Sequence, residues 1–263
     1  MLNLAIKLAI SAGNAVMKIY KTDFDVDIKE DKSPLTTADK YSHNIITKGL
    51  LANYPTIPIL SEEGKNIPFE ERERWKTFWL IDPLDGTKEF INRNGEFTIN
   101  ISFIKDSRPV LGVIYAPNLD LLYFAEKGKG AYKVTSASTS QNPISDASKL
   151  PQSNQNETLT VLASRSHLTD ATKQFITNLE KVKGKSKLIS VGSSLKFCYV
   201  AEGLADIYPR LSPTMEWDTA AGQMIIEETG GFVLTEADKT HLFYNKPSLI
   251  NPSFLAYNAS FKD

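Results

Sequence analysis

Trp79-Leu80-Ile81-Asp82-Pro83-Leu84-Asp85-Gly86-Thr87 is an apolar run that ends in two closely spaced carboxylates. Phe78 to Ile81 predicts a short buried strand. Pro83 then fixes one backbone angle, and Gly86 permits a tight turn that points Asp85 back toward Asp82. Carboxylates this close repel unless one is protonated or a cation lies between them, and hard oxygen donors suit Mg²⁺ rather than zinc. An ordinary turn is the competing reading, because aspartate side chains bond readily to nearby backbone donors.

Two further acidic stretches bear on that choice. Ser61-Glu62-Glu63 follows the apolar run Ile57 to Leu60, and Glu216-Trp217-Asp218 precedes a helix expected from Thr219 to Thr229, closed by Gly230 and Gly231. If Glu62, Asp82, Asp85 and Asp218 meet at one sheet edge, several divalent ions are needed to neutralise them. Asp218 reads equally well as an N-cap, and Asp39 as the third residue of a capping box opened by Thr36. The Thr87 hydroxyl would either attack phosphorus or position the attacking water. Water is preferred, activated by two Mg²⁺ ions, with the N–H groups of Gly86 and Thr87 cradling the phosphate. There is no G-x-x-x-x-G-K-[ST] loop and no G-x-S-x-G elbow, which argues against kinase and esterase chemistry.

Outward from this centre, Leu2–Tyr20 predicts an amphipathic helix buried along Leu4, Leu8, Ala12, Ala15 and Ile19. It lacks a basic leader and a cleavage site, so it reads as neither signal peptide nor membrane span. A second helix runs from Ala38 to Ala52, buries Ile45, Ile46 and Leu50, and stops before Pro55. Phe97, Ile99, Ile101 and Phe103 alternate with polar residues as on a half-buried strand, and Val110–Tyr115 and Leu121–Ala125 continue the sheet. Residues 136–158 are rich in Ser, Asn, Gln and Pro and predict a polar connection between an N-terminal unit, 1–135, and a C-terminal unit, 159–263. In the second unit, strands at Leu159–Ala163, Lys187–Ser190 and Asp206–Tyr208 alternate with helices at Asp170–Lys181 and Leu195–Glu202. The expected fold class is α/β, with mixed sheets flanked by helices.

The 263 residues carry a formal net charge of −1, so no whole-molecule field gathers nucleic acid polymers, and an anionic ligand must be held locally. Cys198 is the single cysteine, which excludes an internal disulfide and suits a reducing cytoplasm. Peripheral contact with a membrane through the first helix stays open, and no obligate protein partner is evident.

Asp82-Pro83-Leu84-Asp85-Gly86-Thr87-Lys88-Glu89-Phe90 closely resembles the signature of the lithium-sensitive, inositol monophosphatase-like phosphatases. With Tyr208-Pro209-Arg210 and Glu216-Trp217-Asp218-Thr219-Ala220-Ala221-Gly222 it looks like the CysQ type of 3′(2′),5′-bisphosphate nucleotidase, across nearly the whole chain. The resemblance implies alternating layers of helices and mixed sheets. It implies two or three Mg²⁺ ions on Glu62, Asp82, the Leu84 carbonyl, Asp85 and Asp218, with Asp39 and Thr87 orienting and deprotonating the attacking water. It carries substrate contacts to His167, Ser193, Lys196 and Arg210, beside Glu62, Leu84, Asp85, Gly86, Thr87 and Asp218. The implied substrate is a small bisphosphorylated nucleotide, first adenosine 3′,5′-bisphosphate and then 3′-phosphoadenylyl sulfate, and inhibition by lithium is expected. The alternatives are an inositol monophosphatase or sugar bisphosphatase on the same scaffold, and a non-catalytic nucleotide sensor.

Overall fold

The computed structural model describes residues 1–24, 26–28, 34–152, 158–164 and 169–261. Small residues set its first layer. Helix α1 (Leu2–Tyr20) buries Ala5, Ile6, Ala9, Ala12, Gly13 and Val16, so the stripe is rotated from the expected one, of which only Ala12 is fully buried. Gly13 supplies the reason: a Cβ there would lie 2.3 Å from the Tyr115 ring, so the helix approaches the sheet along its smallest side chains. Leu8 instead packs over Gly49 of the second helix. α1 has the length and mean hydropathy, 1.2, of a membrane span, but its buried stripe packs on the rest of the fold.

A two-stranded ribbon, β1 (Val26–Ile28) and β2 (Pro34–Thr36), leads into α2 (Thr37–Asn53), which stops at Tyr54 before Pro55 as expected. α1 and α2 cover one face of a seven-stranded sheet. Its strands lie in chain order: β3 (Ile59–Ser61), β4 (Thr77–Asp85), β5 (Thr98–Lys105), β6 (Arg108–Ala116), β7 (Leu121–Glu126), β8 (Gly130–Thr135) and β9 (Ser148–Lys149). β3 and β4 are parallel and the rest antiparallel. Short helices α3 (Phe69–Arg72) and α4 (Thr87–Ile91) flank β4 in the chain. Within the polar connection β9 pairs with β8, and Leu150 is buried.

The second sheet has the order β11-β10-β12-β14-β13, formed by β10 (Thr160–Ser164), β11 (Lys187–Val191), β12 (Ile207–Arg210), β13 (Phe232–Thr235) and β14 (Phe254–Tyr257). Helix α5 (Asp170–Lys183) packs on its outer face through Phe175, Ile176 and Leu179. Helices α6 (Leu195–Glu202) and α7 (Glu216–Glu228) lie between the two sheets. The layers therefore run helix, sheet, helix, sheet, helix, a mixed α/β sandwich whose largest apolar cluster joins both sheets through α6 and α7. Gly112 of β6 lets α7 approach closely: a Cβ there would lie 2.6 Å from the Ala221 carbonyl oxygen.

Helices on both faces correct the expectation for β5. It is buried from Thr98 to Ile104, polar residues included, so Ile99, Ile101 and Phe103 meet the α1 side while Thr98 and Asn100 reach the α6 side.

Candidate metal and phosphate site

β4 delivers Asp82 to the sheet edge. There the Leu84 N–H donates to Asp82 Oδ1 at 3.0 Å, and the pairing with β5 slips between Asp82 and Asp85. Gly86 follows at φ +90°, a conformation that costs a residue with a Cβ, and its turn starts α4. Carboxylate oxygens of Asp82, Asp85 and Asp218 lie within 4.8 Å of one another. Glu62 arrives from the neighbouring strand, its N–H on the Ile81 carbonyl at 3.1 Å and its carboxyl hydrogen-bonded to Asp82.

Burial pushes the Asp82 carboxyl well above its ordinary range, and the charges of Glu62, Asp85 and Asp218 push it further. Asp218 is raised too, first by burial and then by Asp85 and Glu62. Ionised together in water-poor surroundings these groups repel strongly. An all-oxygen set of this density fits a hard divalent cation such as Mg²⁺. α7 begins at Glu216, two residues before Asp218, which corrects the expected N-cap: Asp218 sits inside the first turn and accepts the Met215 N–H at 2.8 Å through Oδ2. Cap and cluster use the same side chain.

Asp39 resolves its two readings similarly. Thr36 caps α2, and Asp39 Oδ2 accepts the Thr36 N–H at 2.8 Å and its hydroxyl at 2.6 Å. Asp39 Oδ1 accepts the Thr87 hydroxyl at 3.2 Å, and Thr87 Oγ1 lies 3.4 Å from the Leu84 carbonyl oxygen.

The C-terminal sheet contributes a turn. Ser193, at φ +55°, donates its hydroxyl to Asp85 Oδ2 at 2.8 Å, and Ser194 adds its N–H and hydroxyl to the same oxygen, each at 2.6 Å. Lys196 is buried, donates to the carbonyls of Ser193 at 2.6 Å and Val191 at 3.3 Å, and has its ammonium 5.5 Å from the Tyr208 ring centre. Burial lowers its pKa to about 8 against the opposing pull of Asp85. Arg210 donates Nη2 to the Pro213 carbonyl at 3.0 Å, while its buried Nε has no partner among the described residues. His167 lies outside the described residues.

The model of the inositol monophosphatase family matches residues 1–261. The chain belongs to that family. It is 43% identical over 256 residues to the 3′(2′),5′-bisphosphate nucleotidase CysQ of Salmonella typhimurium, covering 97% of this chain and 98% of the relative. The CysQ of Escherichia coli K12 is 42% identical over 256 residues, with 97% and 98% of the two chains covered. Among solved structures, CysQ from Bacteroides thetaiotaomicron superimposes with a TM-score of 0.89 at 44% identity, over 98% of this chain and 97% of that one. The layered α/β fold expected from the resemblance is the one found here.

Motif reading of this inositol monophosphatase family member missed Ser194, Thr98 and Asn100. The signal was available in Gly192-Ser193-Ser194 and in the polar half of β5, whose residues were assigned to solvent. Glu216, quoted with Asp218, serves the fold instead: fully buried, it accepts the Lys246 ammonium at 2.7 Å and the N–H groups of Asn245 at 2.6 Å and Lys246 at 2.9 Å. Cys198 is likewise a packing residue, fully buried on α6.

Proposed function

We propose that this chain is a Mg²⁺-dependent 3′(2′),5′-bisphosphate nucleotidase that hydrolyses adenosine 3′,5′-bisphosphate to AMP and phosphate, with 3′-phosphoadenylyl sulfate as a second substrate. The observation that carries this reading is the junction of opposite charges. The Asp82–Asp85–Asp218 cluster touches the turn that Lys196 anchors, and Lys196 and Arg210 bring positive charge close enough to act on those carboxylates. A metal-binding cluster suits the phosphate that is cleaved, and a cationic flank suits the phosphate that is kept. Identity of 43% to a CysQ named for that activity, over nearly the full length of both chains, supports the same substrate class.

Glu62, Asp82, Asp85, Asp218 and the Leu84 carbonyl would hold two or three Mg²⁺ ions, which when bound neutralise phosphate charge and lower the pKa of water. The protein's own part is proton handling and placement. Thr87 orients the water that attacks phosphorus in line with the 3′-oxygen, Asp39 Oδ1 takes its proton as the P–O bond to the nucleoside breaks, and the departing 3′-oxygen takes a proton from solvent. The N–H groups of Gly86 and Thr87 face the transferred phosphate. Lys196, Ser193 and Arg210 hold the 5′-phosphate, and His167 is a further substrate contact. Residues 1–135 supply all the metal ligands but one, and residues 159–263 add Asp218 and hold the nucleotide, joined by the connection 136–158. A reducing cytoplasm and a place in nucleotide recycling during sulfate assimilation fit this chemistry.

The test is phosphate release from adenosine 3′,5′-bisphosphate and from inositol 1-phosphate, with Mg²⁺ present and then chelated. Mg²⁺-dependent preference for the nucleotide is expected. Preference for inositol 1-phosphate keeps the metals and refutes the nucleotide pocket, and release from neither favours a nucleotide sensor.

A further inference from the structure

Two buried polar side chains on β5, Thr98 and Asn100, stand opposite Asp85 and Asp82 in the ladder with β4, and each reaches the acidic cluster through one serine. Thr98 Oγ1 lies 2.6 Å from Ser193 Oγ, and Asn100 Nδ2 donates to Ser194 Oγ at 2.9 Å. Both serines end on one atom, Asp85 Oδ2.

Proton counting fixes the direction of the first chain. A hydroxyl has one hydrogen. Ser193 gives its hydrogen to Asp85, so across the 2.6 Å contact it must accept from Thr98. The single Thr98 proton is shared between Ser193 Oγ and Asn100 Oδ1, which is 3.0 Å away. In the second chain Asn100 donates into Ser194, whose hydroxyl lies 2.6 Å from Asp85 Oδ2 and 2.9 Å from the Asp218 carbonyl oxygen. Buried donor chains of this kind are worth keeping only when every member is satisfied, and each bond polarises the next.

We infer that Thr98 and Asn100 are positioning residues for the metal site. They donate through Ser193 and Ser194 to Asp85 Oδ2, which fixes the rotation of that carboxylate and leaves Oδ1 for the cation. The same bonds lock the left-handed turn at Ser193, so the orientation of a metal ligand and the shape of the nucleotide-holding turn are set by one strand. The inference rests on the reading that Asp85 binds Mg²⁺, and it does not depend on which phosphate ester is cleaved.

The experiment is calorimetric titration of Mg²⁺ into the full chain without nucleotide, comparing the parent with Thr98→Val and Thr98→Ser. Loss of the hydroxyl in Thr98→Val is expected to weaken Mg²⁺ binding roughly tenfold, and Thr98→Ser to restore it to within about twofold. A merely structural role would track unfolding midpoints instead, with serine no better than valine. Mg²⁺ binding by Thr98→Val as tight as the parent's overturns the inference, as does a serine variant equally impaired. Should the valine variant fail to fold, Ser193→Ala on the solvent side of the same chain decides, and an unchanged affinity there overturns it. A parent that binds no Mg²⁺ sinks this inference together with the metal reading. A parent that binds Mg²⁺ but hydrolyses no bisphosphate sinks only the proposed function.

Discussion

Asp39 splits its carboxylate between Thr36, bound through Oδ2, and Thr87, bound through Oδ1 at 3.2 Å. The cap of α2 thereby holds the other oxygen toward Thr87 at the start of α4. Helix capping and the proposed proton acceptance fall on the two oxygens of one carboxylate.

That split separates stability from turnover. Asp39→Asn keeps an oxygen for the Thr36 N–H but is a poor proton acceptor, so kcat is expected to fall a hundredfold or more, by roughly the usual worth of a general base. Thr36→Ala should instead cost about 1 kcal/mol of stability with a smaller effect on kcat. Parallel urea unfolding and steady-state kinetics check this. An Asp39→Asn enzyme with parental kcat would remove Asp39 from the reaction.

The pH dependence of the chelated protein follows from the raised carboxyls. Asp82 and Asp218 have folded pKa values well above the ordinary aspartate value of 3.8, so their contribution to stability is present below about that pH and lost as pH rises through the folded values. With chelator, the parent should lose urea resistance as pH rises above the ordinary aspartate range relative to Asp82→Asn, and saturating Mg²⁺ should abolish the difference. Parallel curves for parent and variant under chelation would show that the cluster carries no such strain.

Gly86→Ala tests the turn. At φ +90° a Cβ is strained, and it would lie 3.2 Å from the Glu96 carbonyl oxygen and 3.3 Å from Ser193 Cβ. A loss of about 1–2 kcal/mol is expected, with weaker Mg²⁺ binding because Asp85 precedes this residue. Thermal unfolding with and without Mg²⁺ reads both effects, and a variant with parental values in both would show that the turn accepts a side chain.

Arg210→Ala reads the second phosphate. Loss of a charge-assisted donor should raise KM for adenosine 3′,5′-bisphosphate by roughly tenfold or more, and any turnover of inositol 1-phosphate should be spared. Equal effects on the two substrates would take Arg210 out of substrate choice.

Much of this architecture was legible because the chain writes it locally. Asp82-Pro83-Leu84-Asp85-Gly86 encodes its own bulge and left-handed turn, and the helices at Leu2–Tyr20 and Thr37–Asn53 declare themselves by period. The burial of α1 was misjudged because a sequence does not say that Tyr115 will press on Gly13, which turns the helix onto its small residues. Thr98 and Asn100 were invisible for a related reason. Alternation with polar residues means a solvent face only if nothing packs there, and α7 and the Ser193-Ser194 turn pack there. Short edge pieces such as β9 have too few residues to show a period at all.

Gly112 lies in the middle of β6 and has no side chain to offer the reaction, yet α7, which carries Asp218, rests on it. Backbone meets backbone at that point, so the glycine acts as the shim that sets how closely the helix bearing Asp218 can lie on the sheet. A methyl group there would be a wedge driven beneath Ala221, shifting the helix at its seat. The seat of the helix that carries Asp218 thus depends on a position that bears no charge, donor or acceptor on any side chain, and a search restricted to polar residues would pass over it.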